Sequence, residues 1–134
     1  MAWSHSQLVL RHLNASEAEV PFKEKRKLEI FTDEDRPDQV DIVVLTHMHG
    51  DHIGGMTMED GSPTYPNARY VTGRVEFDAW AAQDNERFKT KVEPFAEQMT
   101  FIEDGGSVAS GLTAMGAFGH TPGHMNYMLE SEGT

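Results

Sequence analysis

Hydrophobic positions in this chain fall in short blocks, separated by polar and glycine-bearing stretches. Ile42, Val43, Val44 and Leu45 form an unbroken, largely β-branched run, which predicts a strand buried on both faces. Residues 68–72 (Ala-Arg-Tyr-Val-Thr) alternate and predict a second strand. Residues 74–82 carry Val75, Phe77, Trp80 and Ala81 and read as a helix. Residues 84–98 read as a further helical stretch that Pro94 interrupts. A strand is expected at 99–102, a turn at Asp104-Gly105-Gly106, and a strand pair at 112–118 and 125–129. Residues 53–58 begin a short helix or turn, and the Asp-, Gly-, Ser- and Pro-bearing stretch 59–66 is a loop.

The first 36 residues are less regular. Residues 16–28 suggest a helix, with Ser16 as cap and Glu19 three positions later, against which Pro21 argues. Lys23-Glu24-Lys25-Arg26-Lys27 reads as a solvated face, and 32–36 as an acidic loop. No internal repeat or low-complexity tract is visible.

The length of 134 residues suits one domain. Twenty-two acidic against 11 basic residues give a net charge of −11. That balance argues against nucleic acid or an anionic membrane as partner, since both reward Lys/Arg patches. An acidic surface is compatible with metal capture and with solubility, and a solvated surface accounts for most of it. There is no cysteine, so disulfides and thiolate ligands are excluded and any metal must be held by nitrogen and oxygen. No apolar run approaches membrane-spanning length. The first ten residues lack the basic start and apolar core of a signal peptide, which makes the cytoplasm the default compartment.

The chemistry is concentrated in two loops. Thr46-His47-Met48-His49-Gly50-Asp51-His52-Ile53-Gly54-Gly55 sets three histidines and an aspartate within six positions. Imidazole and carboxylate are ligands that Zn²⁺ favours. The motif follows the predicted buried strand, a rigid support for ligands at its end. If extended geometry persists one step, His47 and His49 point to the same side. Asp51 and His52 then fall where the chain turns, with Gly54 and Gly55 free for close approach or unusual dihedrals. One pair of ligands can thus face one metal and the next pair a neighbour. The second loop, Gly119-His120-Thr121-Pro122-Gly123-His124, lies between the predicted strands at 112–118 and 125–129. Its Pro-Gly step is a turn signal in which Gly123 is free to take φ > 0. Five of the seven histidines lie in these two loops, and His5 and His12 read as surface residues.

The H-x-H-x-D-H-x-G-G loop followed by G-H-T-P-G-H resembles the metallo-β-lactamase superfamily of binuclear metallohydrolases. The run from residue 37 to about 133 is similar to its methyl parathion hydrolase-like branch. Matching segments include Gln39-Val40-Asp41, the first histidine loop, Tyr65-Pro66-Asn67-Ala68, the Trp80 region and the second histidine loop. The resemblance implies an α/β fold of the α+β sandwich kind, the four-layer αβ/βα metallo-β-lactamase architecture. Residues 37–134 would form part of that domain and residues 1–36 an unmatched segment. It assigns His47, His49 and His120 to one metal, and Asp51 and His52 to a second. His124 would support its loop by hydrogen bonding. The family also carries a D-T-G-like turn near its N-terminus, and a bridging aspartate and a further histidine C-terminal to the second loop. None is found here before Thr134, so the expectation is a truncated chain in which the first site has its three protein ligands and the second has two.

The implied cofactor is Zn²⁺, two ions per complete site, with Mn²⁺ or Fe²⁺ as substitutes. The implied chemistry is hydrolysis of ester-like bonds in phosphotriesters, lactones or other esters through a metal-bound hydroxide. Bound zinc lowers the pKa of its water from 15.7 to about 7. Asp51 would ligate the second ion and orient the nucleophile. Phe77, Trp80, Phe88 and Phe95 read first as core packing. The sharper reading is a wall for the substrate, and the resemblance favours Trp80 most. The partner is then a small ester-like molecule, and a homodimer would form if a second copy supplied missing strands. Two other readings share the ligand set: an iron-dependent oxidoreductase of the same fold, and a metal-binding but catalytically incomplete fragment.

Overall fold

The computed structural model describes residues 7–12, 28–30 and 37–130, with side-chain surroundings from residue 37 onward. The helix expected at 16–28 lies outside the described residues except for Leu28, which is in a strand; His5 is also outside them.

Among the described residues, two sheets and three short α-helices make up the fold, with 3-10 turns including Pro37–Gln39. The larger sheet has strands β1 (Gln7–His12), β2 (Leu28–Ile30), β3 (Ile42–Leu45), β4 (Arg69–Gly73) and β5 (Met99–Ile102) in the order β2-β1-β3-β4-β5. The β3-β4-β5 core is parallel, and β1 runs antiparallel to β3. The smaller sheet is an antiparallel meander of β6 (Ser107–Ala109), β7 (Leu112–Gly116) and β8 (Met125–Leu129). Helices α1 (Gly50–Ile53), α2 (Arg74–Ala81) and α3 (Glu86–Lys91) lie in the connections, and a 3-10 helix spans Glu93–Gln98.

All four residues of β3 are buried, as the unbroken apolar run requires. Alternation sends them into two cores. Val43 and Leu45 join Met48, Ile53, Tyr70, Phe88, Val92 and Phe95 on the helical side. Ile42 and Val44 join Val71, Val108, Leu112, Ala114 and Met125 between the two sheets. Hydrogen bonds fasten the smaller sheet to the larger one: the Tyr127 hydroxyl donates to Leu45 O (2.9 Å) and Arg69 Nη2 to Val108 O (2.7 Å). The helix-sheet-sheet layering is the α/β sandwich expected. The single helical stretch read at 84–98 divides in two, α3 ending at Lys91 and a 3-10 helix following at Glu93–Gln98, where Pro94 has no N–H to continue the α-helical ladder. The Asn85 side chain accepts from Phe88 N and caps the first piece.

Candidate metal centre

The first histidine loop leaves the C-terminal end of β3, where a parallel sheet presents its ligands. His47 is buried at 4% exposure, His49 is half-buried, and the short helix α1 then carries Asp51 and His52. The second loop joins β7 to β8, whose register pairs Gly116 with Met125 and leaves residues 117–124 as the connection. Met125 N donates to Thr46 O at 2.9 Å, so the end of the second loop is bonded to the start of the first.

Three of the histidines converge. Ligand atoms of His47, His49 and His120 all lie within 4.8 Å of one another, and their rings meet edge to face at 4.7–4.9 Å between centroids. The His52 ring lies 3.7 Å from that of His47, and the His124 ring 4.8 Å. Asp51, 75% exposed at its side chain, places Oδ2 3.6 Å from His52 Nε2. All six motif residues therefore cluster at one end of the sandwich, on the same edge as the ends of β3 and β4.

Electrostatics prepares His47 as a ligand. Burial, followed by the proximity of His52, His124, His49 and His120, lowers its pKa to about 4. The ring is therefore neutral near pH 7, with a lone pair to give. Thr46 Oγ1 lies 2.9 Å from Nδ1, and His47 Nε2 is buried with no hydrogen-bond partner among the described residues. A proton on Nδ1 donated to Thr46 leaves Nε2 as the open lone pair, which is the tautomer a metal ligand uses. A buried, unsatisfied imidazole nitrogen on a ring packed beside two further imidazoles suits a divalent transition-metal site. Burial lowers the His124 pKa as well, and the nearby Glu76 carboxylate opposes that shift. His124 Nδ1 has no partner among the described residues either, so the hydrogen bond expected to tie this ring to its loop is not made through that nitrogen.

Gly54 and Gly123 serve by close approach rather than by a special dihedral, and a Cβ at Gly54 would lie 2.9 Å from Gly50 O. Gly54 has φ −59°, and among the described residues the positive-φ glycines are Gly61, Gly105, Gly111 and Gly119. Gly123, free by its sequence to take φ > 0, does not take it and instead allows close approach. A Cβ there would lie 2.1 Å from Glu76 N and 2.6 Å from both Glu76 Cα and Val75 C. The second loop is pressed directly against the first turn of α2.

That contact brings in a residue the sequence reading passed over. Glu76 is 0% exposed. Its Oε1 accepts from Met48 N (3.0 Å) and Trp80 Nε1 (2.6 Å), and its Oε2 from Thr121 Oγ1 (2.7 Å) and Gly123 N (3.0 Å). The available signal was positional. Glu76, Phe77 and Trp80 share the inward stripe of α2, where an acidic side chain must find donors. Of the four helical aromatics, Phe88 and Phe95 are core residues, and Phe77 packs edge-on against Phe88 and Phe101. Trp80 is the one of the four beside the histidines, its ring 5.7 Å from that of His49 and perpendicular to it.

Comparison with known proteins gives this geometry its family. The model of the metallo-β-lactamase superfamily matches residues 16–134. The chain belongs to the metallo-β-lactamase superfamily. An N-acyl homoserine lactonase of a Bacillus species is 28% identical over 122 residues, covering 83% of this chain and 46% of the relative. The chain thus spans about half the length of the curated relatives it matches. Among solved structures, the hydrolase AbOPH of the β-lactamase superfamily is similar with a TM-score of 0.67 and 27% identity, over 75% of this chain and 40% of that one. An N-acyl homoserine lactone hydrolase, solved with N-hexanoyl-L-homoserine at its catalytic metal centre, has a TM-score of 0.58 and 27% identity, over 74% and 36%. Members of this superfamily with lactonase and hydrolase activity are therefore this chain's homologues. Among the described residues, no helix is long and apolar enough to cross a membrane.

Proposed function

We propose that this chain carries the metal centre of a hydrolase that opens lactones and related esters, with His47, His49 and His120 holding a zinc ion. The observation that carries the reading is the convergence of His47, His49 and His120, whose ligand atoms lie within 4.8 Å of one another, with His47 Nε2 buried and unpartnered among the described residues. Imidazole donors without thiolates suit zinc, and the same donors also serve iron, so metal identity separates the hydrolase from an oxidoreductase. Asp51 and His52, adjacent on α1, are the protein groups available to a second ion. A divalent ion at such a site supplies an activated water and polarises the scissile group.

The chain's own residues do the rest. His47 anchors the site from within the fold, while the exposed His120 marks the side open to substrate. The Asp51 carboxylate stands at that open side, free of the core, where it can hold the second ion and orient a water. Trp80 offers an apolar face next to His49 for the acyl or leaving portion of the substrate. Lactones come first among esters because the relatives at 27–28% identity are named for acyl homoserine lactones. Phosphotriesters present a similar electrophile to the same groups.

Elemental analysis of the chain purified without added metal, followed by assays with an acyl lactone and an aryl phosphotriester, tests this. Zinc bound in proportion to protein, with hydrolysis that His49→Ala removes, is the expected result. Iron in its place would move the reading to oxygen chemistry. A folded chain that takes up no divalent metal would overturn it.

A further inference from the structure

We propose that Glu76 is a positioning residue of the metal centre: its one buried carboxylate fixes both histidine loops and the Trp80 ring relative to one another. The inference rests on the metal-centre reading above. Met48, whose N–H is held by Oε1, lies between His47 and His49. Thr121 and Gly123, held by Oε2, fall between His120 and His124. The two loops leave different sheets, and Glu76 receives hydrogen bonds from both. Met48, Thr121, Gly123 and Glu76 itself are all buried, so water does not compete for these bonds.

The donor set specifies a carboxylate. The N–H groups of Met48, Gly123 and the Trp80 indole can only donate. Two carboxylate oxygens with four lone-pair sites satisfy four donors with none left over. None of the four donors is a cationic side chain. Burying a carboxylate without a cation is costly, and an apolar residue on the inward stripe of α2 would hold helix to sheet at less cost. The arrangement is accounted for by what it orients. With Glu76 in place, the three ligand histidines are held near one another before any ion arrives.

A glutamine at this position keeps the shape but offers one acceptor oxygen and one NH2 group. Against Met48 N and Trp80 Nε1 the oxygen must point one way. The NH2 then faces Thr121, whose hydroxyl can turn to accept, and Gly123 N–H, which cannot. Glu76→Gln therefore releases the second loop while leaving the first attached.

The test is titration of the metal-free chain with Co²⁺, a spectroscopic stand-in for zinc. Affinity is measured by chelator competition, the visible d–d bands are recorded, and thermal unfolding of the metal-free form is followed in parallel. Removing a group that hydrogen-bonds a metal ligand directly typically weakens metal affinity about 10–100-fold. Glu76 acts one residue further out, so Glu76→Gln is expected near the lower end of that range, about 10-fold, and to change the Co²⁺ bands. Thr121→Val, which removes one donor and leaves the carboxylate, should weaken Co²⁺ less and shift the bands in the same sense. It also serves if Glu76→Gln does not fold. Lowered thermal stability with unchanged affinity and bands in either folded variant would make Glu76 a packing residue only and overturn the proposal. If the unaltered chain takes up no Co²⁺, the metal-centre reading fails first and this inference falls with it.

Discussion

Replacing Gly123 by alanine puts a methyl group where the backbone of α2 already stands. Its Cβ would lie 2.1 Å from Glu76 N and 2.6 Å from Val75 C. These are backbone atoms in the first turn of a helix, so no side chain can rotate away. The loop must lift instead. Lifting it forfeits the Gly123 N bond to Glu76 Oε2, now 3.0 Å. Forced overpacking costs about 1–3 kcal/mol, and a lost hydrogen bond to a charged acceptor about 1.5–3 kcal/mol. The sum, about 2.5–6 kcal/mol, is a large part of the ~5–15 kcal/mol that stabilises an ordinary domain. Gly61→Ala is the matched control. Gly61 has φ +85° with nothing within 4 Å of a Cβ, so it carries only the left-handed penalty of about 1–2 kcal/mol. Urea unfolding of both variants by circular dichroism, in chelator, gives the two numbers directly. The same samples titrated with Zn²⁺ should show weakened binding for Gly123→Ala and unchanged binding for Gly61→Ala. If Gly123→Ala loses less than about 1 kcal/mol, the loop has slack and the close-approach reasoning is wrong.

Other expectations follow from the same geometry. His120→Ala should cut zinc affinity by more than an order of magnitude while leaving urea stability in chelator within about 1 kcal/mol, because the ring is exposed; a stability loss well beyond that would contradict it. For the metal-free chain, the His47 pKa near 4 lies below the ordinary 6.5, so the unfolded state binds more protons between those values. The contribution of His47 is complete above about pH 6.5 and is lost as pH falls toward 4, by up to roughly 3 kcal/mol, and His47→Gln should flatten that part of a stability–pH curve. Tyr127→Phe removes the hydroxyl that donates to Leu45 O, and should cost about 1 kcal/mol in urea unfolding without changing metal content.

The sequence was legible where one residue type has one use. The run Ile42 to Leu45 had to be covered on both faces, and it is. Histidines flanking two turn-forming loops had few reasons to be there other than a shared ligand, and three of them meet. What stayed hidden depends on long-range contact. Glu76 looks like one more acidic residue on a charged helix until Met48, Thr121 and Gly123 arrive from distant parts of the chain. Gly123 carried a correct signal with the wrong cause. A glycine after proline suggests a special dihedral, whereas here it is the absence of a Cβ against α2 that matters. The place of Trp80 was partly readable, since the family likeness singled it out. Its indole N–H is nevertheless committed to Glu76, which leaves its ring as the part available to a neighbour.

The bond from Met125 N to Thr46 O joins the first residue of β8 to the residue just beyond β3. One sheet thereby hands a strand end to the other at the rim of the histidine cluster. An ion bridging His47 and His120 would be ligated from both sheets at once, so its uptake is a gauge of whether the two sheets have docked. During refolding, zinc capture should lag behind secondary structure and coincide with closure of the core between the sheets. Amide exchange at Met125 should slow in step with it, which makes that single backbone hydrogen a timer for assembly of the sandwich.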